Sequence, residues 1–366
     1  MKKIILAPDS FKGSLSAIEV CQSLEKGIRT KYAEAEIIQI PMADGGEGSL
    51  EAIDYVLQAE KIRQYVKDPL WRTTEAFYLR KGDTAYIEMA QAAGLHRVKE
   101  SQRDPELATT YGTGQQIKHA VKNGVRKVYL FVGGSATNDG GIGIAQACGY
   151  KFYDADDTEL LTGGEALAQI ERIQLPENPL EFELFVVCDV TNPLYGENGA
   201  AYVYGPQKGA DEAMVKRLDI GLQNFARVLK DQLGKEVATI PGAGAAGGVP
   251  AGMLAFFDAQ ILPGVQTVME IVNLEGYLGN ADLIITGEGK LDSQTLSGKL
   301  IAGVARLGKE HSVPVYAVCG KNELSELQLN ELGIEKVASL VNENTPTERA
   351  ISEAAVLLEE RIKSIL

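Results

Sequence analysis

The stretch Lys3-Ile4-Ile5-Leu6-Ala7, running into Pro8-Asp9-Ser10-Phe11-Lys12-Gly13-Ser14, decides the fold. Ile4 to Ala7 is an unbroken apolar run too short for a helix, the pattern of a strand buried on both faces. A loop follows, and then Ile18, Cys21, Leu24 and Ile28 fall on one face at helical spacing. Glu36 to Ile40 reads as a second strand, and Gly46 to Leu57 as a helix opening from a Gly/Asp-rich loop. Strand, loop, helix, strand is the order of parallel βαβ construction.

Working outward, the same rhythm returns near the other end. Asp282 to Ile285 is strand-like, Leu300, Val304 and Leu307 mark a helix, and Val313 to Val318 and Lys336 to Val341 are further strands. A last helix is expected behind Thr345 as cap, Pro346 at its first position and Glu348 closing a capping box. Its buried face would be Ile351, Ala354, Ala355, Leu358, Ile362 and Ile365. The middle differs. Arg72 to Met89 suggests one or two antiparallel strands turning at Lys81-Gly82-Asp83. Beyond it come helices at about 113–123, 141–149 and 210–233, strands at 126–132 and 183–188, and the Gly/Ala-rich segment 242–252. The expected fold class is therefore α/β. A doubly wound, Rossmann-like parallel-sheet domain is built from residues 1–70 and 270–366, with a second α/β domain, 71–269, inserted.

Composition narrows the function classes. At 366 residues the chain exceeds the usual size of one domain, and 45% hydrophobic residues suffice for a substantial core. A formal charge of −14 argues against a nucleic-acid partner, which calls for a basic stripe. Local loops can still be positive enough to take an anionic substrate. No apolar run approaches the 18 or so residues of a membrane span. Cys21, Cys148, Cys188 and Cys319 are scattered without a CxxC, so a reducing cytoplasm is expected, with Cys188 and Cys319, which end apolar runs, as buried thiols.

Six loops combine glycine with charged or hydroxyl side chains, most of them beside strand ends, where ligands of open parallel sheets bind. In the first, Lys12 is placed to reach a phosphate or carboxylate; a helix start capped by Ser14, with Lys12 in solvent, is the plainer alternative. In the second, Asp44-Gly45-Gly46-Glu47-Gly48, the acids Asp44 and Glu47 could orient a hydroxyl or hold Mg²⁺. The third, Thr109 to Gly114 with Thr110, is preceded by Arg103-Asp104; capping-box spacing of Thr113 and Gln116 offers a structural explanation. The fourth, Gly133-Gly134-Ser135-Ala136-Thr137-Asn138-Asp139-Gly140-Gly141, follows a buried strand and looks like a phosphate cradle. In the fifth, Asp189 stands one step beyond a buried strand, as a general base or a turn cap would. The sixth, Gly287-Glu288-Gly289-Lys290-Leu291-Asp292, offers Glu288 and Asp292 to a metal and Lys290 to developing phosphoryl charge. Segment 242–248 is either a mobile nucleotide surface or a place where small residues let two segments pack closely.

What is missing also counts. The chain has no GxxxxGK[ST] and no GxGxxG after the first strand, so neither a P-loop nor a dinucleotide fold is supported. His96, His119 and His311 are scattered and none lies in a glycine-rich loop, which disfavours a His-based metalloenzyme or hydrolase. A dehydrogenase or hydrolase of a small acid, or a binding protein without chemistry, are the competing classes. The acid-rich set Asp189, Glu288, Lys290 and Asp292 speaks for chemistry.

Taken together, Ala7–Leu15, Pro41–Gly48, Ala108–Gly114, Gly133–Gly141, Cys188–Leu194, Pro241–Gly248 and Thr286–Lys299 resemble the bacterial glycerate kinase family of glucarate/galactarate and glyoxylate utilisation. The resemblance spans nearly the whole chain. It implies phosphorylation of D-glycerate by ATP with Mg²⁺, most members resembling this chain giving 2-phosphoglycerate, although 3-phosphoglycerate is often named. It also implies two α/β domains facing a cleft. On that footing Lys12 and Arg103 are expected to meet the carboxylate, with Asp44 and Thr110 beside the substrate. Gly133, Gly134, Ser135, Thr137, Asn138, Asp139, Gly287 and Gly289 would take the nucleotide, and Glu288 and Asp292 the metal. Lys12, Lys290 and Asp292 would belong to the catalytic set; the family pattern names no base, and Asp189 joins the set on its place beyond a buried strand alone. Lys290 stands where Arg is common in the family, keeping the charge and losing the bidentate fork.

Overall fold

The computed structural model describes residues 2–46, 48–161, 163–293, 295–297 and 300–366. Glu47, Gln294, Gly298 and Lys299 of the loops above lie outside the described residues. Thirteen strands occur among the described residues, in chain order β1 (Lys3–Pro8), β2 (Glu36–Gln39), β3 (Glu60–Lys67), β4 (Thr73–Lys81), β5 (Thr84–Glu88), β6 (Lys127–Phe131) and β7 (Lys151–Tyr153). They continue as β8 (Arg172–Gln174), β9 (Glu183–Val187), β10 (Gln260–Leu262), β11 (Leu283–Leu291), β12 (Val315–Asn322) and β13 (Lys336–Ser339).

The chain divides into two compact units. The first comprises Met1–Asp44, Glu51–Gln58 and Gly264–Leu366, the second Gly45–Leu50 and Ala59–Pro263. In the first, five strands form one parallel sheet ordered β13-β12-β11-β1-β2, so the opening strand lies beside a strand from near the other end, Ile4 opposite Leu283. One face carries Ile4, Leu6, Leu283, Ile285 and Val318, covered by helices Ala17–Arg29 and Ala354–Ile365. On the other face helix Leu300–Glu310 packs closely, Gly308 lying against Val315 and Ile284. Helices on both faces of a parallel sheet explain the near-continuous apolar runs of β1 and β11.

The second unit has a six-stranded sheet ordered β10-β9-β6-β5-β4-β3. The run from β5 to β10 is parallel, while β3–β4 and β4–β5 are antiparallel. Its core gathers Leu130, Val186, Ile142, Leu222 and Phe225, with Tyr86, Tyr129 and Phe185 stacked in a ladder across β5, β6 and β9. A two-stranded ribbon, β7–β8, completes it.

Several expectations need correction. The boundary expected at 70/71 falls too late, because β3 pairs along its length with β4 and belongs to the second unit; on the far side helix Gly264–Ile271 starts in the first. The first helix is capped by Ser16, which forms a capping box with Glu19, while Ser14 donates its hydroxyl to the Ile351 carbonyl. The final helix is two, Thr347–Ser352 and Ala354–Ile365, entered through Pro346 without a side-chain cap. Thr113 and Gln116 are buried inside helix Tyr111–Lys122, so they do not form its cap. The sixth loop is largely strand: β11 runs on to Leu291 because β12 supplies backbone partners, Glu288 opposite Cys319 and Lys290 opposite Lys321. Neighbouring backbone overrides the weak strand preference of glycine. Cys188 and Cys319 are buried free thiols, as their apolar runs lead one to expect, and so are Cys21 and Cys148.

Candidate functional site

Within the first unit the carboxyl ends of β1, β11 and β12 open onto a cavity of about 450 Å³. The loop after β1 brings Asp9, Ser10, Phe11 and Lys12, β11 brings Glu288, Gly289 and Lys290, and Lys321 comes from β12. Asp44 and Asp292 also line it, with Leu300, Val341 and Ile351 on its apolar side. The location follows from topology: side chains just past the ends of adjacent parallel strands converge on one edge.

The charges are arranged in pairs. Lys12 stands 3.5 Å from the Asp44 carboxylate with 83% of its side chain exposed, so its ammonium is held weakly. Lys290 is pinned more firmly, 2.8 Å from Glu323 and 3.3 Å from Asp292, which raises its affinity for its proton. Lys321 shares Glu323 at 2.8 Å, and the two lysines together pull that carboxyl down to about 2. Glu288 accepts the Thr295 hydroxyl at 2.5 Å, and the same hydroxyl oxygen receives the Asp292 amide at 3.1 Å. Asp9 is the unusual member. Burial, reinforced by the neighbouring Asp44 charge, pushes its carboxyl up to about 7, against the Ser10 amide and Lys12. Its backbone N–H donates to the Gly287 carbonyl at 2.8 Å, and Ser10 N–H donates to its Oδ1 at 2.6 Å.

The fourth loop lies in the second unit, after β6, and is tied from within. Asp139 is fully buried and accepts from Thr110 N–H at 2.8 Å, Thr110 Oγ1 at 2.9 Å and Gly141 N–H at 3.1 Å, with Gly143 N–H a further donor. Burial raises its carboxyl against those bonds. Thr110 Oγ1 in turn accepts from Ile144 N–H at 3.1 Å. The structure therefore gives Thr110 and Asp139 partners in each other, organising the loop and the start of helix Ile142–Ala147. Thr137 and Asn138 differ: both are fully buried, and Thr137 Oγ1 and both polar atoms of the Asn138 amide make no hydrogen bond among the described residues. Lys208 reaches the loop from turn Pro206–Lys208, donating to Ser135 Oγ at 3.0 Å and to the Thr137 carbonyl at 2.6 Å. Gly133 is half-buried, and Gly134 is exposed and accepts from Leu95 N–H.

Segment 242–248 fulfils the packing alternative. Ala246, Gly247 and Gly248 are left-handed within helix Ala245–Phe257. A Cβ on Gly247 would stand 2.2 Å from the Thr137 carbonyl and 2.4 Å from Asn138 Cα, so glycine is required for the loop's back to be covered.

The expected residues thus divide. Lys12, Asp44, Glu288, Gly289, Lys290 and Asp292 share one cavity, with Gly287 in the strand behind. In the other unit Ser135 and Thr137 are joined through Lys208, Thr110 is joined to Asp139, and Asn138 lies between the two groups in sequence. Arg103, also there, donates to the Gln207 carbonyl at 3.4 Å, and its Nε is buried without a hydrogen-bond partner among the described residues. Asp189 is exposed just beyond β9. Asp9, Lys208 and Lys321 were not singled out by the sequence. The argument that selects Asp189, an acid one step past a buried strand, selects Asp9 equally. Lys208, within Gly205-Pro206-Gln207-Lys208-Gly209, carries no such signal, because that composition reads as an exposed turn.

Comparison with known proteins agrees with the geometry over the whole chain. The profile of the glycerate kinase family matches residues 4–366. A glycerate kinase of Halalkalibacterium halodurans is 45% identical over 370 residues, covering 100% of this chain and 97% of that one. A glycerate 2-kinase of Escherichia coli K12 is 42% identical over 344 residues, 93% of this chain and 90% of that one. A crystal structure from Salmonella typhimurium LT2, of a protein provisionally assigned as glycerate kinase 2, superposes with a TM-score of 0.87 at 39% identity, covering 100% of this chain and 97% of that chain. Matched by that profile over residues 4–366, and by such relatives over all or nearly all of its length, the chain belongs to the glycerate kinase family.

Proposed function

We propose that this protein transfers the γ-phosphoryl group of ATP to the 2-hydroxyl of D-glycerate, giving 2-phospho-D-glycerate and ADP and releasing the hydroxyl proton. The observation that carries the reading is the cavity at the carboxyl ends of β1, β11 and β12, lysines and carboxylates interleaved, in a chain that the family spans from residue 4 to 366. The 2-position is favoured by the 42% identical Escherichia coli relative, a glycerate 2-kinase.

Phosphoryl transfer asks a protein for positioning and charge neutralisation more than for covalent chemistry. Lys12, exposed and weakly paired, is suited to the glycerate carboxylate, with Asp44 beside it for a hydroxyl and Arg103 as the second cation assigned to substrate. Lys290, with Lys321 near it, offsets charge on the transferring group once it leaves Glu323. The Gly133–Asp139 loop is assigned to the nucleotide, with Gly287 and Gly289 allowing close backbone approach. Glu288 and Asp292 would hold Mg²⁺. Among the described residues no cluster of three or more His, Cys, Asp or Glu forms a metal cage. Two carboxylates suit Mg²⁺ that arrives on a nucleotide and keeps phosphate and water ligands. Bound there, the ion would neutralise phosphoryl oxygens. As base, Asp9 is better placed than Asp189, since it lines the cavity and its carboxyl is poised near neutrality.

Incubating the protein with ATP, Mg²⁺ and D-glycerate and resolving products by ³¹P and ¹³C NMR tests the reading. The 2-phospho isomer is expected. The 3-phospho isomer would keep the kinase and reverse the regiochemistry, and no phosphoglycerate would remove the assignment.

A further inference from the structure

We infer that Lys208 is a positioning residue for the nucleotide loop, fixing the Thr137–Asn138 peptide so that this turn presents its donors to a phosphoryl oxygen. The inference rests on the reading of Gly133–Asp139 as the nucleotide loop and adds a residue from a distant segment.

The geometry is specific. Lys208 is 2% exposed, and its ammonium sits between Ser135 Oγ and the Thr137 carbonyl oxygen, 3.0 and 2.6 Å away. No cis peptide bond occurs among the described residues, Thr137 and Asn138 included. In a planar trans peptide the carbonyl and the next N–H point in opposite directions. Drawing the Thr137 carbonyl onto Lys208 therefore aims the Asn138 N–H away from Lys208. The same residues carry Thr137 Oγ1, Asn138 Nδ2 and Asn138 Oδ1, all buried and without a hydrogen bond among the described residues. Buried polar groups left unspent in a folded protein call for an explanation, and a ligand oxygen is one. Gly247 closes the loop from behind, so the turn cannot relax in that direction.

Stability does not account for the lysine. A buried ammonium is costly, and hydrogen bonds to a hydroxyl and a carbonyl do not restore its hydration. The cost is visible in its acidity: burial pulls Lys208 down to about 7, opposed only by Asp139. A methionine would fill the space without that cost, so the cation serves the loop's conformation at the expense of stability.

The test uses the full chain and the Lys208→Met variant, measuring kcat, KM for ATP, KM for D-glycerate and melting temperature. Thr137→Val and Asn138→Ala report on the loop reading separately. Lys208→Met is expected to melt no lower than the wild type, to raise the KM for ATP about 10- to 100-fold, and to leave the KM for D-glycerate unchanged. If Lys208→Met does not fold, Lys208→Gln, uncharged but still polar, takes its place with the same expectation. Should Thr137→Val and Asn138→Ala raise the KM for ATP while the Lys208 variants do not, the positioning role is wrong and the loop reading stands. Should none of the four move it in an active enzyme, the loop reading fails and takes Lys208 with it. A melting temperature that falls while both KM values hold would make Lys208 a structural strut only.

Discussion

Asp9 stands one residue beyond β1, in a cavity it shares with Asp44, Lys12 and Glu288, and its carboxyl is pushed up to about 7 by burial and by Asp44. The sign of the linkage follows. Between about 4, the ordinary carboxyl value, and about 7 the folded protein binds a proton that the unfolded chain has released. Asp9 therefore supports the fold at low pH, and that support is lost as pH rises through about 7. As a base it works in the opposite sense, since only the ionised form accepts a proton. For the wild type, kcat/KM for D-glycerate should climb with pH and level off above about 7. Asp9→Asn should lose turnover by about 10²- to 10⁴-fold and flatten the fall in stability between pH 4 and 7. An Asp9→Asn enzyme with full turnover beside an inactive Asp189→Asn would return the role to Asp189. At this scale the sequence was informative wherever a residue's position on a strand decides its surroundings. It was silent where a distant segment supplies the surroundings, as with Lys208 beneath Ser135 and Thr137.

Elements were legible in proportion to how far local pattern governs them. Helix Ala17–Arg29 follows from Cys21, Leu24 and Ile28, although Val20 is buried where the spacing predicts Ile18, but its partner Ala354–Ile365 is set by close approach between helices. A Cβ on Gly27 would stand 2.4 Å from Ile362 Cγ2 and 2.5 Å from the Glu359 carbonyl oxygen. Alanine is the better helix former by about 1 kcal/mol, which alone would make Gly27→Ala stabilising. The clash is with backbone, which cannot rotate aside, so the helices must separate. Overpacking of this kind costs about 1–3 kcal/mol, and Gly27→Ala should lower the unfolding free energy in a urea titration by the difference or more. An unchanged midpoint would mean that the helix pair shifts freely. The same limit explains the extension of β11 through Gly287 and Gly289. Their glycines read as a loop until β12 is known to lie alongside, Glu288 opposite Cys319.

At the scale of the molecule, each unit has a core of its own. One cluster runs from Ile4 and Val20 to Leu358 and Ile362, the other from Tyr78 and Leu130 to Phe225 and Phe256. The discontinuity of the first unit was visible in the returning strand pattern. The extent of the second was not, because β3 offers no boundary signal until β4 pairs with it. The segment Ala59–Pro263 carries the whole six-stranded sheet and that second cluster. It omits Gly45–Leu50, whose Gly48 N–H donates to the buried Glu88 carboxylate at 2.8 Å. Losing one donor to a buried carboxylate costs about 1–3 kcal/mol, less than the stability typical of a domain. The excised segment should therefore fold, with near-UV circular dichroism from Tyr86, Tyr129 and Phe185 and one cooperative denaturant transition at a lower midpoint than its counterpart in the full chain. A fragment with secondary structure but no cooperative transition would show that the second core needs the first unit to hold it.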